Sequence, residues 1–338
     1  MRRLMVTGGA GFIGSNFIRY WVEKYPGDRV VNLDALTYAG HLENLEGIEA
    51  ASDYRFIHGS ITDQGLVEKI LAEEAIDTVV NFAAESHVDR SIVAPGAFIT
   101  TNVQGVFSLL EAAKSVWGEF SPSQRFLHVS TDEVYGSLKP DEPAFAETHT
   151  YAPNSPYSAS KAAADHLVRA YHKTYGMPVL TTNCSNNYGP YQFPEKLIPV
   201  TILKALAGEP IPVYGDGKNI RDWLFVEDHC RGIEAVLNSG ISGEVYNIGG
   251  DNEWENIDIV KLICDRLDEL QPAAASYREQ IGFVTDRPGH DRRYAIDASK
   301  IQRELGWTPS HDFRSGIEKT IQWYLANRGW CEQVSKSN

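Results

Sequence analysis

The chain has 338 residues, 43% of them hydrophobic, which is enough for one large α/β unit or two modest domains. Its 45 acidic residues outnumber 31 basic ones, and a net charge of −14 makes nucleic acid and anionic membrane surfaces poor candidate partners. The four cysteines are widely spaced and form no CxxC pair, which argues against a disulfide framework or a structural metal site and favours the reducing cytosol. No apolar run is long enough to span a membrane, which argues against a membrane anchor.

A glycine-rich turn follows the first predicted strand, residues 4–6, and precedes a helical pattern over residues 15–24. Gly8, Gly11 and Gly14 are spaced as GxxGxxG, a variant of the dinucleotide fingerprint. Glycines there permit a tight turn, close approach of a pyrophosphate and packing of the helix on the strand. The helix N-terminus would face that pyrophosphate with unpaired N–H groups.

A second strand, residues 29–33, ends at Asp34. A carboxylate at this position of a dinucleotide fold binds the adenosine ribose, and it would repel a 2′-phosphate. The combination of strand, glycines, helix, strand and acid therefore predicts an NAD site rather than an NADP site.

The alternation of strands and helices continues through the first half of the chain. Strands are predicted over residues 54–57, 78–82, 125–129 and 178–182, and helices over residues 63–74, about 96–116, and from the YxxxK segment to about 175. This order predicts an α/β fold with a Rossmann-type doubly wound parallel sheet. We assign residues 1–183 and about 223–250 to an NAD-binding domain, and residues 184–222 and 251–330 to a smaller mixed α/β substrate lobe.

Polar residues end the strand at 125–129, where Thr131, Asp132 and Glu133 follow its apolar run. Ligands of open α/β sheets bind beyond the carboxyl ends of strands, so these side chains are placed for chemistry. Downstream, Tyr157 and Lys161 share one face of a helix because they are four residues apart. A lysine ammonium beside a phenol lowers its pKa, and such a Tyr can take a proton from a sugar hydroxyl. The alternative is a surface Tyr and Lys on an ordinary helix.

The second half of the chain is rich in turns and carries scattered cations. Lys196, Arg221, Arg287, His290 and Arg292 are candidate ligands of a diphosphate, because guanidinium groups match phosphate oxygens. The alternative for any one of them is a solvated surface charge.

Motifs along nearly the whole chain resemble those of the dTDP-glucose 4,6-dehydratases, a family of extended short-chain dehydrogenases/reductases. These motifs are TGGAGFIGSNF, DALTYAG, NFAAESHVDRS, STDEVYG, YSASK, NNYGPYQFPEKLIP, GDGKNIRDWLFVEDH, YNIGG and DRPGHDRRYAID. UDP-hexose 4-epimerases lack the Asp132-Glu133 pair, and GDP-mannose 4,6-dehydratases have a different pair there. Ser60 departs from the family pattern, which commonly has an Asp on the adenine side of the cofactor.

The resemblance implies a hydro-lyase that turns dTDP-glucose into dTDP-4-keto-6-deoxyglucose. Tyr157, supported by Lys161 and Thr131, would take the 4-OH proton while C4 gives a hydride to NAD. Glu133 would then remove the C5 proton, and protonated Asp132 would assist departure of the 6-OH. The hydride would return to C6. A nucleotide-sugar 4-epimerase and a non-catalytic NAD-sensing protein remain alternatives.

The resemblance also implies binding residues beyond the catalytic set. The expected NAD contacts are Gly8, Gly11, Phe12, Ile13, Gly14, Asp34, Ala35, Leu36, Thr37, Ser60, Ile61, Phe82, Ala83, Ala84, Ser86, Thr101, Tyr157, Lys161 and Asn187. The expected contacts to the sugar nucleotide are Ser86, His87, Thr131, Asn186, Glu195, Lys196, Leu197, Pro212, Tyr214, Arg221, Asn256, Arg287, His290 and Tyr294.

Two helices carry more apolar surface than one sheet should cover, which predicts a homodimer. The first, over residues 96–116, carries Phe98, Ile99, Val103, Val106, Phe107, Leu109, Leu110 and Ala113. The second is the YxxxK helix, whose alanines permit close helix contact. In the resembled family these helices form a four-helix interface.

Overall fold

The computed structural model describes residues 1–49, 51, 53–286 and 290–336. Its strands are β1 (Arg3–Thr7), β2 (Arg29–Asp34), β3 (Tyr54–His58), β4 (Thr78–Asn81), β5 (Arg125–Thr131), β6 (Val179–Cys184), β7 (Asn186–Tyr188), β8 (Ile211–Tyr214), β9 (Ile220–Phe225), β10 (Val245–Ile248), β11 (Glu253–Glu255) and β12 (Ile281–Val284).

The helices flank these strands and alternate with them in the first half of the chain. They are α1 (Phe12–Lys24), α2 (Gln64–Glu73), α3 (Val88–Val93), α4 (Pro95–Phe98), a π-helical segment (Ile99–Gly105), α5 (Val106–Trp117), α6 (Pro156–Tyr175), α7 (Leu197–Ala207), α8 (Val226–Ser239), α9 (Asn256–Leu270), α10 (Ser299–Leu305), α11 (Phe313–Ala326) and α12 (Arg328–Lys336). Short 3-10 helices span Leu42–Leu45, Asp132–Tyr135 and Tyr277–Gln280.

The main sheet has seven strands in the order β10-β6-β5-β4-β1-β2-β3, and every pair is parallel. This confirms the predicted doubly wound sheet. Strand order reverses between β1 and β4, and in such sheets ligands bind beyond the carboxyl ends of the strands at that point. The functional site is therefore expected at this edge.

Side chains along β1 alternate between the two faces of the main sheet, and each face packs against its own layer of helices. Leu4 and Val6 pack in a core with α1 and α8, whereas Met5 points into a core with α2, α5 and α6. All three are fully buried, as a strand covered on both faces requires.

The second lobe is built from small sheets and its own core. Its sheets have the orders β11-β9-β7 and β12-β8, and its core gathers side chains of α7, α9, α11 and α12. Although β10 lies between lobe strands β9 and β11 in sequence, it pairs with β6 and extends the main sheet.

Two predicted elements differ from the structure. The strand expected to end at Val129 continues to Thr131 because both of the next residues pair with β6. The helix expected over residues 96–116 is interrupted by seven π-helical residues, Ile99–Gly105, which shift the face that later residues present.

The apolar surface predicted for this helix is mostly used inside the chain. Of its apolar side chains, Ile99 and Phe107 are 56% and 44% exposed, while Phe98, Val106 and Leu109 are buried. The apolar side chains that this helix leaves exposed are therefore Ile99 and Phe107, and the homodimer expected from the apolar surface of the helix stays a prediction.

Candidate active site

A cavity of about 360 Å³ opens at the carboxyl edge of the main sheet, between the glycine-rich turn, the ends of β4 and β5 and the second lobe. Most of the predicted NAD and catalytic residues line it. They are Gly8, Gly11, Phe12, Ile13, Gly14, Asp34, Ala35, Thr37, Ser60, Ile61, Phe82, Ala83, Ala84, Ser86, Thr101, Thr131, Asp132, Glu133, Tyr157, Lys161 and Asn187. Asn186, Glu195 and Lys196 line its far side.

The glycine-rich turn is shaped as a dinucleotide cradle. Gly8 has φ +70°, and a Cβ there would lie 2.6 Å from the Ala83 nitrogen. A Cβ on Gly14 would lie 2.3 Å from the Gly8 carbonyl oxygen. Helix α1 starts at Phe12 with no side-chain cap, so its first N–H groups face the cavity edge. These residues fit the pyrophosphate of NAD.

Asp34 lines the cavity beside this cradle and also holds the cradle together. Its Oδ2 accepts a hydrogen bond from the Ala10 N–H at 2.8 Å, and its Oδ1 accepts one from the Leu36 N–H at 2.8 Å. Burial raises the pKa of Asp34, while both backbone hydrogen bonds lower it. The carboxylate thus fixes the turn after β1 to the end of β2 in addition to lining the cavity.

The Thr-Asp-Glu triplet sits where β5 passes into a short 3-10 helix. The Thr131 hydroxyl accepts from the Glu133 N–H at 3.3 Å and lies 3.3 Å from Asp132 Oδ1. Asp132 is 2% exposed, and its Oδ2 has no hydrogen-bond partner among the described residues. Burial raises the pKa of Asp132 well above its ordinary value, and Glu133 and Asp222 raise it further. These surroundings favour the protonated form of Asp132 beside the half-buried Glu133.

Helix α6 delivers Tyr157 and Lys161 to the same cavity. Ser155 caps the helix in a reciprocal capping box with Ser158, and Pro156 occupies its first turn, so the helix starts at a fixed residue. Tyr157 and Lys161 are 9% and 4% exposed, which excludes the alternative of an ordinary surface pair.

The expected lowering of the Tyr157 pKa by Lys161 is wrong for the protein without its cofactor. Burial raises the pKa of Tyr157 well above its ordinary value, and the Glu133 carboxylate raises it further. The Lys161 ammonium instead donates to the Val129 carbonyl at 2.8 Å, and burial lowers the pKa of Lys161.

A smaller cavity of about 90 Å³ adjoins the triplet and holds part of the predicted substrate set. It is lined by Glu133, Asn186, Arg221, His290 and Tyr294 among others. Arg221 is 6% exposed, its guanidinium lies 4.3 Å from the Tyr294 ring centroid, and it donates to the Asp291 carbonyl at 2.9 Å. A buried, stacked guanidinium is a suitable phosphate ligand.

Several predicted residues do not line either cavity. Leu36, His87, Leu197, Pro212, Tyr214 and Asn256 fall in this group. His87 is close, since its Nε2 lies 3.5 Å from the Glu195 carboxylate. Arg292 pairs with Asp216 on the surface at 2.9 Å, as its alternative reading held. Arg287 lies outside the described residues.

Sequence reasoning missed Tyr38 and Phe193, which also line the larger cavity. The Arg90 guanidinium lies 3.8 Å above the Tyr38 ring centroid, and Phe193 meets the same ring edge-on. Tyr38 stands in the DALTYAG motif directly after Thr37, so that motif held the signal. Phe193 comes from the second lobe, and only the folded chain brings the two together.

The described residues include no group of His, Cys, Asp and Glu side chains arranged to hold a metal ion. Among the helices in the described ranges, none has the length and apolarity needed to cross a membrane. All four cysteines are buried and unpaired.

Known proteins share this fold and much of this sequence. The family model for GDP-mannose 4,6 dehydratase matches residues 5–320. The dTDP-glucose 4,6-dehydratase of Xanthomonas campestris pv. campestris strain B100 is 60% identical over 340 residues, covering 99% of this chain and 96% of that protein. The Salmonella typhimurium LT2 enzyme of the same name is 56% identical, covering 98% and 95%.

Solved structures agree with these sequence matches. The crystal structure of DesIV, a dTDP-glucose 4,6-dehydratase from Streptomyces venezuelae with NAD and dTDP bound, has a TM-score of 0.91 at 48% identity, covering 98% of this chain and 99% of that one. The UDP-glucose 4-epimerase of Thermotoga maritima has a TM-score of 0.85 at 27% identity, covering 96% and 99%.

Proposed function

Because the chain belongs to the dTDP-glucose 4,6-dehydratase family, we infer that it removes water from dTDP-glucose to give dTDP-4-keto-6-deoxyglucose, with NAD as its cofactor. The observation that carries this reading is the buried Asp132, whose surroundings favour its protonated form, beside Glu133 in the cavity that Tyr157 and Lys161 also line. An epimerase needs no such pair of carboxyl groups.

When bound, NAD would supply a hydride shuttle between C4 and C6 of the sugar. We propose that Gly8, Gly11 and Gly14 admit its pyrophosphate, and that Asp34 receives the adenosine ribose. These residues support the assignment because a Cβ in the turn would fill the cradle.

Tyr157 would accept the proton of the sugar 4-OH, with Thr131 hydrogen-bonding the same oxygen. A buried Tyr with a raised pKa is seldom present as the phenolate that can accept a proton, so the step needs a nearby cation that favours the phenolate. Lys161, one helical turn away on the same face of α6, supplies that charge. The 4-keto group formed in this step acidifies the C5 hydrogen.

Glu133 would remove the C5 proton, and Asp132 would give its own proton to the departing 6-OH. Two adjacent carboxyl groups can play opposite roles only when their surroundings separate their protonation states. Asp132 is fully buried and Glu133 is half-buried beside the smaller cavity, which supports this division.

We propose that the substrate's diphosphate lies toward the second lobe. Arg221, His290 and Asn186 converge on the smaller cavity, and Lys196 joins them from the rim of the larger one. On this arrangement the domain of residues 1–183 and about 223–250 binds NAD, and residues 184–222 and 251–330 bind the sugar nucleotide.

We also propose a homodimer in the cytoplasm. The exposed Ile99 and Phe107 support a helix-mediated interface, and four buried free thiols suit a reducing compartment. Light scattering of the protein and of a Phe107→Arg variant tests this interface: the dimer mass should be lost only in the variant. A monomeric mass for the unmodified protein would contradict it.

Incubation with dTDP-glucose and, separately, UDP-glucose tests the proposed reaction. Mass and NMR analysis should find a product lighter by one water, with a 4-keto and a 6-methyl group, from dTDP-glucose. A 4-epimer of either substrate would favour the epimerase alternative, and binding without turnover would favour the non-catalytic one.

A further inference from the structure

A chain of buried polar side chains runs in register across three adjacent strands, β1, β4 and β5, and reaches the helix that carries Tyr157 and Lys161. Thr7 ends β1, Asn81 ends β4, His128 lies in β5, and Asp165 is on α6. All four are at most 5% exposed. Buried polar groups that make no contact with solvent must satisfy one another, so their order is informative.

The hydrogen bonds along this chain run in one direction. The Thr7 hydroxyl donates to Asn81 Oδ1 at 2.6 Å, which leaves the Asn81 amide nitrogen, 3.0 Å from His128 Nδ1, as a donor to the ring. His128 Nδ1 must then accept, and the ring proton sits on Nε2. Burial lowers the pKa of His128 to about 4, with a further contribution from Lys161, so the ring is neutral near pH 7.

His128 Nε2 lies between two charged groups. It is 3.4 Å from Asp165 Oδ1 and 3.5 Å from Lys161 Nζ. An ammonium cannot accept a hydrogen bond, so the ring N–H is directed toward Asp165 Oδ1, which makes no hydrogen bond among the described residues. The Ser130 hydroxyl donates to the other oxygen, Asp165 Oδ2, at 2.9 Å and orients the carboxylate.

Asp165 follows Lys161 by one helical turn, so both project from the face of α6 that packs on β5. Lys161 is 4% exposed, and burial of an ammonium favours its neutral form. The Asp165 carboxylate opposes this and raises the pKa of Lys161. Other titratable groups near the pair are Cys184 of β6, which acts on Lys161, and Tyr135 and Tyr151, whose pKa values Asp165 raises.

We propose that Asp165, oriented by Ser130 and lying beside His128, is a positioning residue that keeps the buried Lys161 ammonium charged and in place for Tyr157. The inference rests on the proposed function, since it concerns how the same Tyr–Lys pair works. It adds a carboxylate outside both cavities to the groups on which the hydride steps depend.

The test compares Asp165→Asn, Asp165→Glu and Ser130→Ala with the unmodified, NAD-containing enzyme. kcat and KM for dTDP-glucose are measured from pH 6 to pH 10, together with the initial burst of NADH absorbance. Asn matches the shape of Asp without its charge. An opposite charge nearby shifts a pKa by roughly 1–3 units. The alkaline limb of the pH profile, where kcat falls as Lys161 loses its proton, should therefore move at least about one unit toward neutral pH in Asp165→Asn.

Asp165→Glu keeps the charge and should restore most of the limb's position. Ser130→Ala removes one hydrogen bond and no charge, so it should leave the limb in place, and KM should change little in any variant. A folded Asp165→Asn protein with an unmoved limb would overturn the inference, as would equal shifts in Asp165→Glu. If Asp165→Asn does not fold, the test rests on Asp165→Glu. A normal kcat with an unmoved alkaline limb in Asp165→Glu supports the requirement for a negative charge at this position, and a lost kcat in that variant contradicts it. An unmodified enzyme that makes no product would instead refute the proposed function.

Discussion

Replacing Asp132 by Asn should uncouple oxidation of the sugar from loss of water. The side chain is 2% exposed, and its Oδ2 makes no hydrogen bond within the described residues, so Asn fits the same space and disturbs only the contact with Thr131. It cannot supply the proton that assists hydroxide departure. General acid–base help contributes roughly 10²–10⁴ in rate, or about 3–5 kcal/mol of barrier.

Stopped-flow absorbance of the nicotinamide measures this directly. On mixing with dTDP-glucose, Asp132→Asn should form NADH at a near-normal rate and hold it, because the acceptor carbon at C6 forms slowly. Glu147→Gln is a matched control: Glu147 is a half-buried carboxyl that also has a raised pKa, but it lies outside both cavities. The control should cycle without NADH accumulation. Normal turnover by Asp132→Asn would refute the assignment of the acid.

The same substitution should not weaken the fold near neutral pH. A carboxyl whose pKa is raised on folding binds its proton more tightly in the folded state, so it stabilises the protein at low pH and loses that contribution as the pH rises. Asn has no proton to lose. The free energy of unfolding of the variant, from urea titrations at pH 5 and pH 8, should therefore fall less between these two values than that of the unmodified protein.

Three further predictions follow from other residues. Tyr157→Phe should abolish even the NADH signal, because no group remains to take the 4-OH proton; an undiminished burst would contradict its role. Asp34→Ala removes the acceptor of two backbone N–H groups and the proposed acceptor of the ribose. The dissociation constant of NAD, measured by calorimetry, should therefore rise roughly ten- to a hundredfold, and the preference for NAD over NADP should become smaller. His128, buried and neutral with a pKa of about 4 against an ordinary 6.5, should account for about 3 kcal/mol of stability that is present above pH 6.5 and lost as the pH falls toward 4. His128→Gln should flatten that part of the unfolding profile, and an unchanged slope would contradict the prediction.

Much of the site could be predicted where local sequence constrains the backbone. Gly8 and Gly14 stand where any Cβ would meet a neighbouring backbone atom, so their spacing alone marks the cradle. The four-residue spacing of Tyr157 and Lys161 fixes their common helix face, and strand periodicity placed the triplet at the carboxyl end of β5. The helix face and the contact of Gly14 with Gly8 depend on residues close in the chain, whereas Gly8 meets Ala83 after β4.

What sequence could not give depends on distant partners. Whether Lys161 acts on Tyr157 is decided by burial and by the carbonyl of Val129, neither of which a motif encodes. The partners of His128 come from β4 and α6, 47 and 37 residues away. The exposure of Phe107, and the inward packing of its neighbours, likewise follow from how α5 docks on α2 and α6.

In the proposed reaction one hydride leaves C4, stays in the enzyme and returns to C6 after water has been lost. NMR of the product formed from dTDP-glucose deuterated at C4 tests this hydride transfer. We expect deuterium in the C6 methyl group of the 4-keto product, with C5 carrying hydrogen from solvent. Deuterium released to solvent, or retained at C4 in a product that has lost no water, would contradict it.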